Sequence, residues 1–128
     1  AHARSLAGRG LGLWVLRRDD AAIGCAALLP VSAAVAATWP GFAGEVEPTV
    51  ALAETAWGRG YAGEALAAML THGFARLGLT RIVGVADEPN LRSRRMLERA
   101  GFRFLARCPG PAHTLHLYRA AAPSGARR

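Results

Sequence analysis

The turn Trp57-Gly58-Arg59-Gly60 lies between an extended segment and an amphipathic one, and it constrains this chain more than any other feature. Before it, Glu45 to Ala53 (EVEPTVALA) reads as a strand. Pro48 confines that strand to a sheet edge or a bulge, because proline has no N–H to give a ladder. After the turn, Tyr61 to Leu77 carries apolar side chains at Ala62, Leu66, Met69, Leu70, Phe74 and Leu77, the spacing of one helix face, with Gly78 placed as a terminator. The first N–H groups of such a helix lack acceptors, and its dipole adds positive potential. Gly58, Gly60 and Gly63 keep Cβ atoms out of the approach, so the turn can take an anion, typically phosphate. A plain strand–helix turn uses the same residues.

Two nucleotide-binding patterns fit poorly. The Walker loop needs Gly-Lys-Ser/Thr, and the chain contains no Lys. Gly58, Gly60 and Gly63 match the Gly-x-Gly-x-x-Gly spacing, but Asp87 comes too late to be the acid that ends a second strand about 20 residues on.

The remaining segments extend the alternation. Leu11–Leu16 and Ile23–Leu29 flank the polar Arg17-Arg18-Asp19-Asp20 and read as a hairpin, with Pro30 ending its second strand. Val31 to Gly44 reads as a loop or weak helix. Arg81 to Ala86 is a buried-strand pattern, and Asn90 is placed to cap a helix that runs to Ala100 and stops at Gly101. Phe102–Arg107 and Thr114–Arg119 form a last strand pair around Pro109-Gly110-Pro111. Ala120 to Arg128 has only small residues, Pro and Arg, and is expected to be a disordered tail. The order predicts one α+β domain over 1–119 with a mixed sheet. Each strand–helix–strand step should bring parallel strands together through a right-handed crossover.

With 128 residues and 52% of them hydrophobic, the chain suits a single packed core. No run reaches the roughly 18 apolar residues of a membrane helix, and no signal-peptide pattern precedes the first strand. Cys25 and Cys108 are too few and too far apart for a disulfide framework or a metal set. A soluble, cytoplasmic domain is the expectation. All sixteen basic residues are Arg, which GC-rich codon usage explains, but the net charge of +7 still implies attraction to polyanions. Nucleic acid, a membrane surface and a phosphorylated cofactor all qualify. No helix–turn–helix, zinc-finger or aromatic stacking pattern accompanies the arginines, which disfavours nucleic acid.

Trp57-Gly58-Arg59-Gly60-Tyr61-Ala62 with Glu64-Ala65 resembles the acetyl-CoA loop of the GNAT N-acetyltransferases, in the branch typified by the RimJ/RimL ribosomal-protein acetyltransferases. Asn90-Leu91-Arg92-Ser93 with Met96 to Phe102 is similar to that family's second motif, and the resemblance covers roughly Leu11 to Tyr118. It implies a GNAT-like central sheet with helices packed on it and acetyl-CoA as co-substrate. Gly58, Arg59, Gly60, Tyr61, Ala62 and Gly63 would offer N–H groups to the pyrophosphate. The main chain around Leu52 would pair with the pantetheine arm and donate to the thioester carbonyl, and Asn90 and Ser93 would lie near the pantetheine and sulfur. The family's first strand and two helices normally help wall the acceptor pocket. Only Ala1 to Gly10 precede the second strand here, so the chain is expected to be a fragment or a member shortened at its N-terminus, with an open acceptor side.

Acetyl transfer to an amine requires a base for the ammonium and donors for the developing oxyanion. By the resemblance Glu47 is the first candidate base, the alternative being an exposed strand glutamate, and Glu54 is the second. Ser93 could serve the sulfur or simply cap and pack. Some superfamily members carry a Tyr acid where this chain has Met96 and Leu97. His72, His113 and His116 lack companions at metal or triad spacing and read as structural, and no metal site is expected. Cys25, in an apolar strand, and Cys108 have no evident activating base. Arg92, Arg94, Arg95 and Arg99 form a basic run whose default is solvation, with contact to a CoA phosphate, an acidic acceptor or RNA as the alternatives. The expected reaction is acetyl transfer to a protein N-terminus or small amine. An inactive acyl-CoA-binding module is the competing expectation, and the oligomeric state, homodimer included, stays open.

Overall fold

The computed structural model describes residues 3–6 and 11–123, in two antiparallel sheets with helices against them. The first sheet holds β1 (Ala3–Leu6), β2 (Leu11–Arg18), β3 (Ala21–Pro30) and β4 (Val46–Leu52), in that spatial order. β1 adds a strand ahead of the expected hairpin. β2 and β3 join through Asp19-Asp20, where Asp19 takes a left-handed φ of 54° that a short polar side chain tolerates. The second sheet runs in the order β5 (Arg81–Asp87), β7 (Leu115–Ala121), β6 (Arg103–Cys108). Helix α1 (Ala33–Thr38) forms within the segment read as a loop or weak helix, α2 spans Tyr61–Thr71, and α3 spans Leu91–Arg99.

The α+β class holds, but strand neighbours differ from the expectation. β7 lies between β5 and β6 and is antiparallel to both, so β5 and β6 never become side-by-side partners. β4 touches β5 with no ladder described between them. The cause is β7, which returns after both crossovers and takes the central place. β7 also continues through Ala121, two residues past the expected end at Arg119. Ala120 is 5% exposed and Ala121 pairs with Arg81, so the start of the expected tail is sheet. The rest of that tail, 124–128, lies outside the described residues.

Leu66, Met69 and Leu70 from α2, Phe74 just after it, and Leu97 from α3 pack with Ala26, Leu28 and Val46 of the first sheet and Ile82, Tyr118 and Ala120 of the second. Fully burying such a Leu or Phe stabilises by about 1.5–3 kcal/mol. The helix expected to reach Leu77 ends at Thr71 and widens into a π-turn over His72–Arg76. Gly73 sits in that turn against β5, where a Cβ would come 2.7 Å from the Ile82 methyl. α1 and the turn Pro40–Phe42 cover the other face of the second sheet, with Val35, Trp39 and Phe42 on Val83, Leu115 and Leu117. Among the described residues the corresponding face of the first sheet stays open: Leu13 is 47% exposed, and Thr49 and Ala51 are exposed. Cys25, expected in a buried strand, lies on that open face and is exposed.

Candidate functional site

Two hydrogen bonds bracket β4: Val31 N–H to Glu45 O and Ala53 N–H to Ile23 O, each 2.8 Å. The β3–β4 register is unbroken between them. Antiparallel alternation therefore turns the main-chain groups of Glu47, Thr49 and Ala51 toward β3 and those of Val46, Pro48, Val50 and Leu52 outward. Pro48 thus stands where no ladder N–H is required, on an edge strand, one of the two placements its sequence allowed. The outward direction of Leu52 is visible in its carbonyl, which accepts from Trp57 Nε1 at 3.0 Å. Its N–H lies on the same outer edge.

Along that edge opens a cavity of about 170 Å³ lined by Glu47 to Val50 of β4, Leu66 of α2, Val85 of β5, and Ser93, Met96 and Leu97 of α3. The structure thus brings Glu47 and Ser93, 46 positions apart in the chain, to one cavity. Glu47 is half-buried, and desolvation raises its pKa above the ordinary 4.5. A hydrogen bond from the Ser32 backbone N–H opposes that rise in part. Ser32 in turn caps α1, its hydroxyl accepting from Val35 N–H at 3.2 Å, so the start of α1 holds the carboxylate in place. Glu54, in the short turn Glu54–Ala56 after β4, is exposed and outside the cavity lining. Asn90 caps α3 as its sequence predicts, Oδ1 accepting from Ser93 N–H at 3.1 Å, and this bond sets the helix turn that carries Ser93.

The glycine turn adjoins the outer end of β4. Gly58 and Gly60 have φ of 74° and 81°, and a Cβ built on Gly58, Gly60 or Gly63 would meet no protein atom within 4 Å. The first helical donation is Glu64 N–H to Gly60 O at 3.1 Å, so the N–H groups of Tyr61, Ala62 and Gly63 precede the helical ladder. Arg59 is exposed beside them, and Tyr61 and Ala62 are half-buried. The turn, termed the cradle, is a glycine-rich approach, unobstructed at Gly58, Gly60 and Gly63, at a positive helix end.

Two arginine–aromatic pairs flank this cradle, and neither was legible from sequence. Arg18 hydrogen-bonds the Tyr61 hydroxyl and lies 5.4 Å from its ring centroid, across 43 positions of chain. The Arg92 guanidinium stands 5.7 Å from the Trp57 ring centroid, a cation–π distance. Of the basic run, Arg94 is turned inward, Nη1 donating to Glu88 O at 2.9 Å, whereas Arg92, Arg95 and Arg99 are exposed. His116 does have a companion that sequence spacing could not reveal. It is 7% exposed, with Nε2 3.1 Å from Glu88 Oε1, and Glu88 also pairs with Arg107. This network ties the turn before α3 to β6 and β7. Burial raises the Cys108 thiol pKa, which favours the unreactive thiol. No helix among the described residues is long and apolar enough to cross a membrane.

Comparison with known proteins accords with this geometry. The family model described as the acetyltransferase (GNAT) domain matches residues 1–103. A GnaT-family protein from Bordetella pertussis superposes with a TM-score of 0.79 at 28% identity, over 89% of this chain and 68% of that one. The yncA protein of Salmonella typhimurium, solved with its cofactor acetyl-CoA, gives 0.74 at 20% identity over 91% and 67% of the two chains. A spermidine N-acetyltransferase chimera from Vibrio cholerae and hSSAT gives 0.71 at 15% identity over 91% and 69%. The chain spans about two thirds of the length of each of these structures. With a family match that runs from residue 1 through β4, the glycine cradle, α2, β5 and α3, the chain belongs to the GNAT acetyltransferase family.

Proposed function

We propose that this protein transfers an acetyl group from acetyl-CoA to a primary amine, either a protein N-terminus or a small amine, in the manner of the RimJ/RimL-like branch. The observation that carries the reading is the placement of Glu47 and Ser93 in one cavity along the free edge of β4, beside the glycine-rich turn. The residues present fit acetyl-CoA. The N–H groups from Gly58 to Gly63 suit the pyrophosphate, the outward Leu52 N–H suits the thioester carbonyl, and Asn90 and Ser93 stand at the start of α3 beside the pantetheine path. When bound, acetyl-CoA supplies the activated acetyl group.

The chain's own groups then have separate tasks. Glu47 takes the proton from the incoming ammonium, and partial burial makes its carboxylate a stronger base than a solvated one. Leu52 N–H is fixed by the strand before charge develops on the carbonyl oxygen, which is the useful condition for oxyanion stabilisation. Ser93 offers a hydroxyl on the opposite wall of the cavity, where Met96 and Leu97 leave no tyrosine to do so.

That last observation favours a second reading, a catalytically inactive acyl-CoA-binding module. Calorimetry with acetyl-CoA, CoA and duplex DNA, followed by thiol release with a panel of amines, separates the readings. Acetyl-CoA binding with amine-dependent thiol release supports the transferase. Binding without release supports the inactive module, and preference for DNA overturns both.

A further inference from the structure

We infer that the acceptor is a primary amine with a single positive charge, and that polyamines are poor acceptors. This inference rests on the transferase reading above and specifies its substrate class.

Glu47 is the one carboxylate among the lining residues of the cavity. It suits one ammonium, and the remaining lining offers no second carboxylate: Thr49 and Ser93 carry neutral hydroxyls, and Pro48, Val50, Leu66, Val85, Met96 and Leu97 carry no charge. Two further carboxylates are engaged elsewhere, Glu45 with Arg81 and Glu88 with Arg107 and His116. The wider surface repels further positive charge, since sixteen arginines face nine acids in the chain. The phosphates of CoA would offset part of that excess, but at the glycine cradle rather than in the cavity. A di- or trication would therefore approach against the field of the whole protein and leave all but one of its charges without a partner. Structural similarity to a spermidine N-acetyltransferase thus does not carry its substrate with it.

The test compares isoamylamine with spermidine by thiol release from acetyl-CoA at low salt. Isoamylamine should show kcat/KM higher by about tenfold or more, and added salt should narrow the gap by screening the repulsion. Equal or better use of spermidine overturns the inference. A Thr49→Glu variant adds a second carboxylate on the same strand face, about 7 Å from Glu47, and should improve spermidine relative to isoamylamine. No relative improvement counts against the charge argument. If no amine releases thiol, binding of each amine to the CoA-saturated protein, followed by NMR, decides the matter. Tighter isoamylamine binding supports the inference, and tighter spermidine binding or no amine binding overturns it. Calorimetry with acetyl-CoA on the same sample keeps the two failures apart. Loss of acetyl-CoA binding removes the transferase reading itself, whereas retained binding with spermidine preferred removes only the acceptor class.

Discussion

Burial holds the Glu47 carboxyl above its ordinary 4.5, and this shapes both its chemistry and its cost to the fold. As a base it works only when ionised, so the acid limb of turnover should lie above the usual carboxylate range. Glu47→Gln keeps the shape without the basicity and should lower turnover by roughly 10²–10⁴, with acetyl-CoA affinity little changed. The deficit should shrink toward pH about 9, as more of the amine arrives neutral. Parallel pH profiles at similar rates would reduce Glu47 to a strand residue. The stability effect has the opposite sense. A raised folded pKa penalises ionisation, so the wild-type side chain is harmless below the ordinary value and destabilising once pH rises through the folded one. Urea midpoints at pH about 4 and about 7 should therefore show Glu47→Gln gaining on the wild type at the higher pH. Gly60 offers a second test at the same scale. Gly60→Val forces a branched side chain into a left-handed φ of 81° and into the space above the cradle. Gly44→Val imposes the same φ far from the cradle and is the control. Each should cost at least about 1–2 kcal/mol, but only Gly60→Val should abolish CoA binding by calorimetry. Equal CoA affinity in the two variants would remove the cradle from the site.

Among elements, α3 depends most on tertiary support, because its nine residues are too few to be stable alone. Its first turn rests on the Asn90 cap, and the turn before it is anchored by Glu88 to β6 and β7. Asn90→Ala should cost about 1 kcal/mol and raise hydrogen exchange at Ser93. Unchanged exchange there would show that packing alone orders the turn. The Glu88 carboxyl is held below its ordinary 4.5, first by the His116 hydrogen bond and then by Arg107. Its stabilising contribution is complete above that ordinary value and is lost as pH falls through the lowered one. Thermal midpoints of the wild type and Glu88→Gln should thus differ at neutral pH and converge on acidification. A gap that persists in acid would assign the effect to shape rather than charge.

At the scale of the molecule, the positive excess is expected to give the proposed CoA binding an electrostatic component. Affinity for CoA should weaken as salt rises, because the ligand's phosphates are drawn by a field that mobile ions screen. A salt-independent affinity by calorimetry would mean that the charge serves something else.

Sequence alone determined the local part of this protein. The period of Leu66, Met69, Leu70 and Phe74, the cap at Asn90, the choice of edge or bulge imposed by Pro48 and the turn glycines Gly58 and Gly60 all act within a few residues, so each is legible without the fold. The glycine cradle was visible for that reason, and Glu47 and Ser93 came from the family resemblance. Only the tertiary structure decided that Glu47 and Ser93 share a cavity, that Ser32 holds the Glu47 carboxylate, and that Arg18 reaches Tyr61. It also decided that β7 enters between β5 and β6. Those pairings join residues from separate elements of the chain, and their energy comes from the burial and strand pairing that exist once the sheets have formed.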